Sequence, residues 1–550
     1  MSETKDIIIV GGGIAGCVLA SRLHQRNKAT KILLIEAGKN VVGHPLTSNP
    51  LDCFQAHFSE LDWAYSTVPQ PNLGNRNCYA AAGKALSGGA AVNYGTWTRG
   101  NAVDYDLWAD VVKDKAWNYD GFLPYFRKTE NHHDANADAK AHGFDGPVVT
   151  ASVTSSSPSR KYPLRGPLQS AFSRIGVNKI ADGNDGTPIG LSELIENWNQ
   201  GKRQLASQIY PLDGVQVMTE TLVSSIVVEE CRGKKVATGV RLANGTTITA
   251  SKEVIVSAGV YRTPQVLMLS GIGPGSDLER LGIPTVVDLP VGRNFHDHLA
   301  VCQWWKLRHP EQGLAIGSPK WQDPGFFVGL PCDWIATQRV PEEPLRAALK
   351  KDAGGKPVDD SALLSPKVAH TETLVVYAPA GAQIAGVDVP VDGTHIASAV
   401  LLMTPTSRGR ITLANKDPTK SPVIDPNYYS TETDRVILRE GLRSINKVLQ
   451  ATPEGRDMIE SEVAPGGTFL GPDSSDKDID ERAARVGNTF YHPAGTASMG
   501  SVVDTKLRVK GVEGLRVVDA SVFPVPITAH YQVATYALAE KAIDIICGSK

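Results

Sequence analysis

Apolar residues run unbroken from Ile7 to Val10, return at helical spacing over residues 14–25, and run again over residues 31–36. A short apolar run, a 3.6-residue period and a second apolar run predict strand, helix, strand: one βαβ half-unit. Residues 80–100 are rich in Gly and Ala, with too few large side chains for a core helix, and read as a loop. Residues 105–130 alternate aromatics with charges and predict two helices. Residues 215–229 and 235–250 read as strands, with Asn244-Gly245 as a hairpin turn. Residues 396–403 predict a buried strand, and residues 531–546 a closing amphipathic helix. Residues 154–160, 350–367 and 465–478 are polar loops rich in Ser, Gly or Pro, and no internal repeat appears.

Composition narrows the class. The 550 residues exceed one ordinary domain, and 41% hydrophobic against 21% charged residues supply a sizeable core. A net charge of −2 leaves no basic excess to neutralise phosphates, so no nucleic-acid partner is expected. The longest apolar stretch, residues 396–403, falls far short of the roughly 20 residues that span a bilayer, so no membrane span is expected. The seven cysteines are scattered without a C-x-x-C or zinc spacing, which suits a reducing compartment. The first strand begins too close to Met1 for a signal segment, and a cytoplasmic location is expected.

Gly11-Gly12-Gly13-Ile14-Ala15-Gly16 fits G-x-G-x-x-G, following a strand and opening a helix. Gly11 allows the tight turn, Gly13 lets backbone approach a pyrophosphate, and Gly16 lets helix pack on strand. The helix N-terminus offers free N–H groups to the anion. Glu36, ending the next strand, can accept from a ribose diol and would repel a 2′-phosphate. The fingerprint points to an adenine dinucleotide and leaves FAD and NAD open.

The rest of the chain decides between them. Gly83-Lys84-Ala85-Leu86-Ser87-Gly88-Gly89-Ala90-Ala91-Val92-Asn93 with Arg99-Gly100 resembles the first signature of the glucose–methanol–choline (GMC) oxidoreductases, and residues 259–274 (GVYRTPQVLMLSGIGP) resemble the second. The loop of residues 290–298, Ser407-Arg408-Gly409-Arg410, Tyr491-His492-Pro493-Ala494-Gly495-Thr496 and Val518-Asp519-Ala520-Ser521 complete the order from residue 6 to about 546. The resemblance implies FAD and an α/β composite fold. A Rossmann-like FAD-binding domain of discontinuous segments (1–152, 212–300 and 485–550) would be joined to a substrate domain (153–211 and 301–484) built on an antiparallel sheet flanked by helices. It also implies FAD contacts from Gly11, Gly13, Ile14, Ala15, Gly16, Glu36, Ala37, Gly88, Val92, Asn93, Val223, Asp519, Ala520, His530, Gln532 and Val533. Where the family usually has Gly-Gly-Ser-Ser this chain has Ser87-Gly88-Gly89-Ala90, so some hydrogen bonds to FAD should differ. Members with a histidyl-linked flavin carry His before the loop Asn; Val92 stands there, so the resemblance implies non-covalent FAD.

Of 13 histidines, two match the family's catalytic pair: His492 in the His-Pro-x-Gly-Thr turn, and His530 in Ala529-His530-Tyr531-Gln532. Adjacent His132-His133 lies in a polar run and reads as solvated; His296 and His298 lack an apparent third ligand, and no metal is expected. Imidazole can take a hydroxyl proton near neutral pH while hydride leaves the carbinol carbon. The resemblance implies His492 as base and His530 as the residue that hydrogen-bonds and orients the same hydroxyl. The helix beginning near Tyr531 is expected to aim its N-terminus at the flavin pyrimidine ring.

The expected reaction is oxidation of a primary alcohol to an aldehyde, with O₂ or another acceptor taking the electrons. Trp304, Trp305, Trp321, Phe326, Phe327 and Trp334 are candidates to line an aromatic site for an aryl, furanic or allylic alcohol, and equally fit an aromatic core. Residues 308–370, rich in Pro and Gly, fit a lid over the flavin or a dimer contact. Either a monomer or a homodimer is expected. The alternative within the family is a lyase or cyclase using the histidines for acid–base chemistry. An α/β-hydrolase is excluded, because no G-x-S-x-G elbow occurs.

Overall fold

The isoleucine and valine run at 7–10 is buried on both faces, as a central parallel strand requires. The computed structural model describes residues 4–134 and 136–548. Lys5–Val10, Ile32–Ile35 and the helix Ile14–Arg26 between them form the expected βαβ half-unit, its two strands parallel. The sheet continues on both sides in the order Val223–Cys231, Lys234–Leu242, Thr247–Val256, Lys5–Val10, Ile32–Ile35, Gln216–Met218, with Leu515–Val517 paired to Thr247–Val256. Its centre is parallel; the first two neighbours are antiparallel hairpins. Asn244 and Gly245 lie in the turn between Leu242 and Thr247, as their turn chemistry requires.

A second, antiparallel sheet runs Ile459–Val463, Leu299–Leu307, His395–Leu402, Thr371–Val376, Trp334–Gln338, Gly190–Glu193, with Asn488–Thr489 added to Leu299–Leu307. The helix Glu432–Asn446 buries Ile437, Leu438, Leu442 and Ile445 in the core cluster that includes this sheet. Each sheet has its own core, and Cys53, Leu73 and Cys78 join the second although they precede most of it in the chain.

Several expectations need correction. The apolar stretch at 215–229 is two strands, because Glu220 has φ 52° and breaks the extended run. Residues 80–100 contain one helical turn, Gly89–Val92. The stretch 308–370 holds the strand Trp334–Gln338 and the helix Glu342–Asp352. The closing helix, Gln532–Cys547, is buried on every side from Val533 to Ile543 rather than amphipathic. Its charges are satisfied inside: Glu540 pairs with Arg22 and Lys128, while Lys541 donates to the Ala116 and Gly121 carbonyls beside the Trp117, Phe122 and Tyr125 rings.

Trp304, Trp305, Trp321, Phe326 and Trp334 are core residues of the second sheet, and Phe327 is exposed; none lines the central cavity. His132 is buried rather than solvated, whereas His133 is exposed. His132 stacks on His142 at 4.1 Å over Glu130, whose charge is met by Arg99. The local polar run hides a compensating ion pair supplied from elsewhere in the chain. No helix among the described residues is long and apolar enough to cross a membrane.

Candidate active site

Both sheets contribute to one cavity of about 430 Å³. Its first half follows from glycine. Gly11 has φ 103°, and a Cβ there would lie 2.3 Å from the Ser257 carbonyl. Gly88 has φ 53°, and its Cβ would meet Gly13 at 2.7 Å, so glycine at 88 is what lets the two loops approach this closely. Gly11, Gly13, Ile14, Ala15, Glu36, Ala37, Gly88, Val92, Asn93, Val223, Asp519, Ala520, His530 and Gln532 all line the cavity. Gly16 and Val533 do not: Gly16 lies beneath the turn, where a Cβ would strike the Gly11 carbonyl at 1.9 Å, and Val533 is buried in the helix core.

Glu36 accepts from the Gly12 and Gly38 N–H groups at 2.8 and 2.7 Å, leaving lone pairs for a ribose. Burial pushes its carboxyl up to about 7, against the pull of those backbone donors. Asp519 spends both oxygens inside the protein, on Gly259 N, Thr263 Oγ1 and Ser521 N. It therefore shapes the turn that presents Ala520. Ser87, the hydroxyl that departs from the family pattern, faces Ser207 at 3.0 Å and anchors the loop. The Ser257 hydroxyl beside the glycine turn is buried without a partner among the described residues. A narrow glycine-walled cradle, a buried carboxylate beside it and an orphaned hydroxyl fit an adenine dinucleotide.

The other half holds imidazoles. His492 and His530 meet with ring centroids 4.5 Å apart and planes at 69°. His530 Nε2 lies 2.7 Å from the Glu372 carboxylate, on the strand Thr371–Val376 of the second sheet. His492 Nδ1 lies 3.0 Å from His298 Nδ1, and His298 Nε2 lies 3.3 Å from the Tyr531 hydroxyl. The Tyr531 oxygen also accepts from Ile527 N at 3.3 Å. Below the pair, Asp297 accepts from His492 N at 3.0 Å and from Tyr428 Oη, and burial raises its carboxyl to about 6.

Burial, then the neighbouring His530 and His298, push His492 well below the usual imidazole range. Burial and His530 push His298 down to about 3. Both are neutral at ordinary pH, as proton acceptors must be.

Sequence reasoning missed His298, Glu372 and Asp297. It also missed His57, which lies between the Tyr79 and Tyr94 hydroxyls on the cavity wall. The only signal for His298 was its place in the 290–298 loop. Nothing local marked Glu372, since its partner is 158 residues away.

Two family profiles described as GMC oxidoreductase match residues 5–300 and 405–539. The chain belongs to the GMC oxidoreductase family. The GMC-type oxidoreductase acuG of Aspergillus aculeatus is 43% identical over 547 residues, 99% of each chain. The oxygen-dependent choline dehydrogenase of Yersinia pestis is 32% identical, covering 99% of this chain and 94% of its own. Among solved structures, a formate oxidase of Aspergillus oryzae RIB40 studied for FAD modification superposes with a TM-score of 0.88 at 29% identity, over 100% of this chain and 98% of that one. This GMC oxidoreductase is thus an FAD-binding α/β enzyme with oxidases and dehydrogenases for relatives.

Proposed function

We propose that this GMC oxidoreductase oxidises a primary alcohol to an aldehyde on non-covalently held FAD, and passes the electrons to O₂ or another acceptor. The observation that carries this reading is the His492–His530 pair, set in the same cavity as the glycine cradle. In this reading the 1–152, 212–300 and 485–550 segments hold the cofactor, and the 153–211 and 301–484 segments roof the substrate. Bound FAD supplies the hydride acceptor.

The chain's residues do the rest. His492 accepts the hydroxyl proton on Nε2, the ring nitrogen with no hydrogen bond among the described residues. His530, held through Nε2 by Glu372, is left with Nδ1 to orient the substrate oxygen. Phe490 sits 5.8 and 5.9 Å from the two imidazoles and, with Phe54, Tyr94 and Tyr491, gives the cavity an aromatic wall. Ala397 and Ala399 also line the cavity and, being small, leave space. This lining supports aryl, furanic or allylic alcohols. Val92 in place of a histidine before Asn93 supports non-covalent FAD.

The decisive test is a panel of primary alcohols mixed anaerobically with the yellow protein, followed by peroxide measurement in air. Bleaching of the flavin is expected. A panel that leaves it oxidised overturns the redox reading in favour of acid–base chemistry alone.

Two further results follow. His492 is charged only below its lowered pKa, so acid inactivates the base far below pH 6.5. In a stopped-flow pH profile His492 should therefore add no inflection near the ordinary imidazole value to the rate constant for flavin reduction; the Asp297 carboxyl beneath it, raised to about 6, is the neighbouring group that titrates there. His530→Asn should retain more activity than His530→Ala in steady-state kinetics, because an amide can still hydrogen-bond the substrate oxygen.

A further inference from the structure

Arg203 stands directly behind the cavity wall. Its side chain is buried at 8% exposure and forms no ion pair among the described residues. One guanidinium nitrogen donates to the Ala90 carbonyl at 3.0 Å and to Asn93 Oδ1 at 3.1 Å; the other donates to the Asn93 carbonyl at 2.7 Å. The guanidinium carbon lies 4.6 Å over the Trp198 ring, and Nε has no partner among the described residues. Every acceptor it uses is neutral.

Three other deeply buried arginines meet carboxylates, Arg99 with Glu130, Arg160 with Glu196 and Arg482 with Glu462, whereas Arg262, on the cavity wall, is held like Arg203 by neutral acceptors: the Tyr65 hydroxyl, the Gln265 amide oxygen and the Pro418 carbonyl. A buried cation without a counter-charge is strongly unfavourable unless something else uses it. Burial lowers its pKa only to about 10, so it stays charged near neutral pH.

Its contacts lead to the cofactor side of the cavity. Asn93 and Gln532 both line the cavity, and Asn93 Nδ2 donates to Gln532 Oε1 at 3.0 Å. Gln532 is fixed further by Asn197 at 3.3 Å and by the Thr96 carbonyl at 2.6 Å. Arg203 also holds the C-terminal end of the single turn Gly89–Val92, which begins where Gly88 meets Gly13. One guanidinium thus fixes the loop against the cradle and places a positive charge, not directly ion-paired among the described residues, one residue behind it.

Resting on the FAD reading above, we propose that Arg203 is a positioning residue that orients Asn93 and, through its fixed positive charge, raises the reduction potential of the bound flavin. The flavin ring gains negative charge on reduction, and a fixed cation in a low-dielectric wall favours that form.

The test is the midpoint potential of the holoenzyme, measured by dye equilibration, with FAD content read from the visible absorbance. Arg203→Gln keeps a donor to Asn93 and removes the charge. It should lower the potential by at least the equivalent of a tenfold change in the reduction equilibrium, about 30 mV for a two-electron couple. Arg203→Lys keeps the charge, loses the fork, and should stay near wild type.

Arg203→Met is the second variant, because it removes the charge and leaves an unbranched apolar chain for the Trp198 ring. It should lower the potential as Arg203→Gln does, and serves if Arg203→Gln does not fold. A charge-removed variant that holds FAD at the wild-type potential overturns the proposal. So does an Arg203→Lys shift as large as that of Arg203→Gln, since orientation alone would then explain both. A wild-type protein without flavin overturns the functional reading itself, a distinct result.

Discussion

Replacing His492 with alanine is expected to slow flavin reduction by alcohol about 10²–10⁴-fold while FAD stays bound, the range typical for loss of a positioned general base. The two halves of that result have separate physical origins. In the proposed reading, cofactor retention depends on the glycine turn at Gly11–Gly13, the Gly88 loop and Glu36, none of which uses the imidazole. The turn that carries His492 is tied down through its main chain, by the 3.0 Å bond from His492 N to Asp297, and alanine preserves that bond. What disappears is the Nε2 acceptor beside His530. Anaerobic stopped-flow absorbance separates the outcomes. A yellow variant that is reduced slowly supports the assignment, and a yellow variant reduced at the wild-type rate removes His492 from the chemistry.

The parts of this architecture that were legible in sequence are those where backbone geometry or a local spacing imposes residue type. Gly11 and Gly88 are glycine because positive φ and a sub-3 Å approach exclude a Cβ, and such positions announce themselves. The strand, helix, strand pattern over residues 5–35 is likewise local, and so are the turns bearing His492 and His530. The parts that were not legible depend on what faces a residue from far along the chain. His298 and His492 are 194 residues apart, and nothing in either neighbourhood names the other. Lys541 and Glu540 read as the polar face of a helix, yet partners from Arg22, Lys128 and an aromatic cluster bring them inside. Six aromatics fitted a substrate site or an aromatic core on density alone, and five of them are core. The aromatics that do line the cavity, Phe54, Tyr94, Phe490 and Tyr491, are scattered among segments distant in sequence.

Replacing His298 with alanine is expected to lower the rate of flavin reduction by about 10²-fold or more, although His298 need not touch substrate; loss of an orienting partner behind a catalytic histidine has effects of that order. A hydrogen bond between two Nδ1 atoms 3.0 Å apart requires that one ring donate and the other accept. If His492 is to present a bare Nε2, its own proton must sit on Nδ1 and point at His298. His298 Nδ1 must then be bare, which puts the His298 proton on Nε2, facing the Tyr531 oxygen at 3.3 Å. With His298 removed, the His492 ring loses the acceptor that selects this tautomer, and its Nδ1 is left buried and unpaired. A glutamine at 298 offers an amide oxygen to the same Nδ1–H, so His298→Gln should recover much of the rate lost in His298→Ala. A purely packing role predicts the reverse ranking for leucine and glutamine at this wholly buried position, so adding His298→Leu to the stopped-flow series decides between the two. Equal rates for the glutamine and leucine variants would show that His298 fills space and does not orient His492.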